Sequence, residues 1–139
     1  MKLATAAIVR HLTLNPISVP DLGSVRDEIR LLLRGLSDRA RPELLRLVFD
    51  MTDDLRDAKS NLADLRAEIA DGALMRGILQ RGIDRGEIDQ ERLTPRIVSL
   101  PTDLVRHEVL MTLAPPSDDV IREIVDEVFL PLVRRDPLR

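Results

Sequence analysis

The 139-residue sequence contains no cysteine, no tryptophan and no tyrosine, and only two phenylalanines. Without cysteine there is no disulfide, no thiolate metal site and no thiol nucleophile, and nothing points to an oxidising compartment. With so few aromatics, a core has to be assembled from Leu, Ile, Val, Ala and Met. Long apolar runs are missing as well. The stretch from Met1 to Val9 meets Arg10 and His11, which makes it too short for a signal peptide or a membrane span. A cytoplasmic protein without membrane contact is expected. Positive charge is not in excess either, with 21 Lys and Arg against 24 Asp and Glu for a net charge of −3. The arginines alternate with acids and do not form the basic face that neutralises phosphates, so the chain alone is not expected to grip DNA. Catalytic patterns are lacking too. Neither His11 nor His107 has a Glu three residues before it, as a di-metal helical bundle requires, and there is no Gly-x-Ser-x-Gly elbow or phosphate-cradling glycine loop. The expectation is a protein that is not an enzyme and has no metal site and no cofactor.

What is present is helical periodicity in a chain of single-domain length, long enough to bury roughly two thirds of its unfolded surface. Residues 2–14 suit a helix that stops at Asn15-Pro16. The connector to Gly23 is extended because Pro16 and Pro20 push their predecessors out of the α region. Ser24 followed by Asp27 predicts a capped helix whose apolar positions Val25, Ile29, Leu32, Leu33 and Leu36 run to about Arg39. Pro42 opens another helix through Met51. Thr52 caps the longest pattern, which carries Gly72, Gly77 and Gly82 and closes at Arg85-Gly86-Glu87, with Gly86 suited to the left-handed residue past a helix end. Thr94-Pro95 starts a helix with two apolar stripes, one of Ile97, Leu100, Leu104 and Met111, the other of Val98, Val105, Val109 and Thr112. Pro101 falls in its interior and predicts a kink. Ser117 caps the last helix, in which apolar pairs recur every four residues from Val120-Ile121 to Leu132-Val133. That face is too wide for one partner helix. There is no strand signal and no internal repeat.

The order of Val19-Pro20-Asp21-Leu22-Gly23-Ser24, Arg85-Gly86-Glu87-Ile88, Leu93-Thr94-Pro95-Arg96-Ile97 through Pro101 and Arg106 to Leu110-Met111-Thr112, and Ser117-Asp118-Asp119-Val120 to Val133 resembles the C-terminal regulatory domain of TetR-type repressors. The resemblance covers essentially residues 1–139. It implies an all-α bundle of about six helices, the last two forming an intersubunit four-helix bundle. It also implies a homodimer, a small and hydrophobic effector, and DNA contact only through an N-terminal helix-turn-helix domain that is not in this sequence. Residues 2–14 would be the lever between the two domains.

The candidate effector pocket is Phe49, Met75, Leu79, Leu104, His107 and Met111, apolar apart from one imidazole. Each has an alternative reading as ordinary core, because flexible thioethers fill irregular interiors. His107 lies four residues after Asp103, a spacing that lets the carboxylate orient the ring, with a surface pair as its alternative. The candidate dimer interface is Val105, Val109, Ile121, Val125, Val128, Phe129 and Leu132. The other functional expectation is a helical dimerisation or interaction module that takes no ligand.

Overall fold

A computed structural model describes residues 17–39 and 72–136. The helices expected over 2–14, from Pro42 to Met51, and in the first part of the pattern after Thr52 lie outside them. Among the described residues there are four helices and no strand, so the chain is all-α, although the expected count of six is not matched.

Helix α1, Val25–Arg39, begins where the hydrogen bonding of Ser24 dictates. The Asp27 amide donates to Ser24 Oγ at 3.1 Å, and the Glu28 amide donates to the Ser24 carbonyl at 3.1 Å. Asp27 and Glu28 sit at the positive end of the helix dipole. Val25, Ile29, Leu32 and Leu33 form its fully buried face.

Helix α2, Gly72–Asp84, buries Met75, Ile78, Leu79 and Gly82. It closes with two nested bonds, Gly86 N to the Ile83 carbonyl at 3.0 Å and Glu87 N to the Gly82 carbonyl at 2.9 Å. These satisfy carbonyls that the helix end would otherwise orphan, and they require the φ of +80° found at Gly86. Gly82 is needed for space. A Cβ there would lie 2.3 Å from Val25 Cγ2 and 2.7 Å from Ile88 Cγ1, so α1 and α2 touch backbone to side chain at this point.

Helix α3, Pro95–Thr112, has Thr94 as its cap, accepting from the Ile97 amide at 3.2 Å. Pro101 lies inside it and offers no N–H to the ladder. Beside it, Ser99 Oγ donates to the Arg96 carbonyl at 3.1 Å and Thr102 Oγ1 to the Ser99 carbonyl at 2.9 Å. The helix ends at Leu113, which takes the left-handed conformation with φ 56°.

Helix α4 comprises Asp118–Arg122, Glu123–Phe129 and Leu130–Val133, joined through right-handed residues into one rod. Ser117 caps it, accepting from the Val120 amide at 3.3 Å. Its middle is a wide turn, in which the Leu130 amide reaches back five residues to the Val125 carbonyl. It lies immediately before Pro131, whose ring an ordinary α turn would drive against the carbonyl four residues earlier.

The buried faces of all four helices meet in one core, with Phe129 its largest buried side chain. Each fully buried Leu, Ile, Val or Phe contributes about 1.5–3 kcal/mol. The end of α4 is fastened to the loop after α2. Asp89 N donates to the Val133 carbonyl and Arg135 N to the Glu87 carbonyl, each at 2.9 Å, around an isolated antiparallel bridge between Ile88 and Arg134.

Candidate functional site

Helix α2 carries Met75 and Leu79 on its buried face, in the core, and Leu104 of α3 packs half-buried against that core. Met75 and Leu79 thus belong to the core and Leu104 to the residues packed on it. Phe49 lies outside the described residues. His107 and Met111 do not join them: His107 is exposed and Met111 is 71% exposed. Asp103, expected to orient His107, accepts from Arg106 Nη1 at 2.8 Å.

The interface candidates divide by their burial. Val105, Val109, Ile121, Val125 and Phe129 are all buried within the chain itself and offer no surface to another. Val128 is half-buried and Leu132 is 44% exposed. One physical reason accounts for both results. Of the two stripes on α3, Val105 and Val109 turn inward with Pro101 and Thr102. At 3.6 residues per turn, that leaves Leu100, Leu104, His107 and Met111 on an adjoining outer face. On α4 Ile121, Ile124, Val125, Phe129 and Val133 enter the core, so both members of the pair Ile124-Val125 are inside, whereas Val120 packs at its edge, Val128 is half-buried and Leu132 lies outside.

The strongest polar arrangement was not expected from the sequence. Glu28, whose side chain is fully buried, projects from the apolar face of α1 toward the end of α2. Its Oε1 takes Arg81, with Nε at 2.6 Å and Nη2 also paired, and its Oε2 takes Arg85 Nη2 at 2.7 Å. Both arginines reach further. Arg81 Nη2 donates to the Val19 carbonyl at 3.4 Å, and Arg85 donates to Asp21 Oδ1 and to Glu87 Oε2, each at 2.9 Å. The same Glu87 oxygen accepts the Val25 amide at 3.3 Å, and Asp21 Oδ1 accepts the Gly23 amide at 2.9 Å. Burial works against the charge of Arg85, but its hydrogen bonds to Glu28 and Glu87 outweigh that and hold its pKa above the ordinary arginine value. The available signal was Glu28 itself, a carboxylate at a core position of the repeat Val25, Glu28, Ile29, Leu32.

These features define an all-α domain with one apolar core. A family model for the tetracyclin repressor-like C-terminal domain matches residues 19–128, and the chain belongs to that family. The family is one of transcriptional regulator domains and not an enzyme class. Uncharacterized HTH-type transcriptional regulators of Mycobacterium tuberculosis and Mycobacterium bovis are 32% identical over 63 residues, which is 45% of this chain and 31% of each relative. The match thus spans less than a third of the length of these curated relatives. No solved structure matches the chain. Among the described residues no helix is long and apolar enough to cross a membrane, and no group of acidic or histidine side chains is arranged to hold a metal ion.

Proposed function

We propose that residues 1–139 form the effector-sensing and dimerising domain of a TetR-type repressor. The observation that carries the dimer is the outer stripe of α3, where Leu100, Leu104 and Met111 share a face with His107 and Met111 is 71% exposed. With Val128 and Leu132 of α4, this is apolar surface of the kind that a second copy covers, since a two-fold axis lets one patch serve both subunits. The effector is a small hydrophobic molecule held near Met75 and Leu79, with Leu104 at the boundary between pocket and interface. DNA contact belongs to a helix-turn-helix domain of the kind named in the mycobacterial relatives. The effector acts by binding one conformation better than another, and a coupling of about 1–3 kcal/mol is enough to shift repressor from operator.

Two measurements test this reading. Sedimentation at low micromolar concentration is expected to give a dimer, and a clean monomer overturns the dimer. A thermal-shift screen with hydrophobic small molecules is expected to raise the melting temperature for some members. Binding that persists unchanged when Leu79 is replaced by Glu overturns the assignment of the pocket.

A further inference from the structure

Two arginines one turn apart on α2 hold the same buried carboxylate of α1 and also hold the connector that leads into α1. Arg81 takes Glu28 and the Val19 carbonyl; Arg85 takes Glu28, Asp21 and Glu87. Between them Gly82 presses against Val25 and Ile88 with no room for a methyl group. The end of α2, the start of α1 and the connector are therefore joined both by direct van der Waals contact and by directional, charge-assisted bonds. A buried ion cluster of this kind contributes little net stability against an apolar replacement, and its better attested role is fixing one arrangement over its neighbours. Helix α2 is the rod that begins near Met75 and ends at this cluster.

We infer that Arg81 and Arg85 couple α2 to the connector, so that displacement of the helix carrying Met75 and Leu79 is passed through Glu28, Asp21 and Glu87 to residues 19–24. The regulatory meaning of this coupling rests on the proposed sensing role, but the coupling itself is tested without any effector. The Gly23 and Val25 amides are the reporters, because each donates to a member of the cluster, Asp21 and Glu87 respectively. The perturbation is Met75→Leu, a nearly volume-conserving change seven residues before Gly82, roughly 10 Å along the helix.

In the otherwise native chain, Met75→Leu is expected to displace the Gly23 and Val25 amide resonances in a ¹H–¹⁵N spectrum. The Leu113 amide, bonded to Val109 at the far end of α3, is expected to stay in place. With Arg85→Lys, which keeps the charge but loses the planar fork, the same Met75→Leu change is expected to displace Gly23 and Val25 less, the remainder passing through Arg81 and the Gly82–Val25 contact. Arg81→Lys serves for the same comparison where Arg85→Lys does not fold. Equal displacement with and without the arginine fork overturns the inference, as does no displacement in the native background. Failure of the thermal-shift screen bears only on the sensing role and leaves this result standing.

Discussion

Gly82 and Val25 lie so close that a single added carbon at position 82 would come within 2.3 Å of Val25 Cγ2. Intrinsic helix propensity favours Ala over Gly by about 1 kcal/mol, and here packing opposes it. Gly82→Ala is expected to lower stability by about 1–3 kcal/mol, the range for overfilling a packed core. Gly77→Ala is expected to raise stability by up to about 1 kcal/mol, since among the described residues a Cβ there meets only Arg81 Nη1 at 3.9 Å. Urea melts of the two variants check the opposite signs.

Glu28→Gln keeps the shape of the side chain and removes the charge between Arg81 and Arg85. Breaking a fully buried ion pair costs about 3–5 kcal/mol, and the arginines here keep part of their solvent exposure, so a loss of about 2 kcal/mol is expected. Chemical denaturation measures it. A change below a few tenths of a kcal/mol would show that the cluster is replaceable by neutral hydrogen bonding.

Leu113 closes α3 in a conformation that costs a side chain with a Cβ about 1–2 kcal/mol, and its own side chain is 43% exposed. Leu113→Gly is expected to raise the melting temperature, with a gain of up to about 1 kcal/mol after the remaining side-chain contacts are lost. A fall in melting temperature would show that the lost side-chain contacts and the added freedom of the unfolded chain outweigh the relieved strain.

Met111→Glu places a charge on the outer stripe of α3 without touching the core. The expected outcome is a monomer by sedimentation with an unchanged helical circular dichroism spectrum. Val109→Glu, directed into the interior where Val109 is fully buried, is expected to unfold the chain. The pair separates loss of association from loss of fold.

Most helix boundaries among the described residues were legible because their causes are local. Ser24, Thr94 and Ser117 each accept from an amide three residues on, and Gly86 supplies a left-handed residue, so four or five consecutive residues contain the whole reason. Which stripe of α3 faces inward was not legible. Leu104 and Val105 are both apolar at helical spacing, and the choice depends on how α1 and α4 approach. The Glu28 cluster joins residues 53 and 57 positions apart, so no window along the chain contains it. The wide turn of α4 was hidden for a different reason, since its apolar pairs recur every four residues as in an ordinary helix.

That wide turn spends one more residue per bond than the α-helix on either side of it. Beyond Phe129 the rod is consequently rotated relative to where uninterrupted winding would carry it, and in that rotated setting Val133 is buried and its carbonyl meets the Asp89 amide. Winding all these residues as a regular α-helix would swing Val133 and Arg135 away from their partners at Asp89 and Glu87, whereas removing one residue between Glu123 and Phe129 would restore regular winding and leave them in place. The spare residue works as a phase shifter, letting a helix whose first half is aligned to the core deliver its last turn to a distant corner.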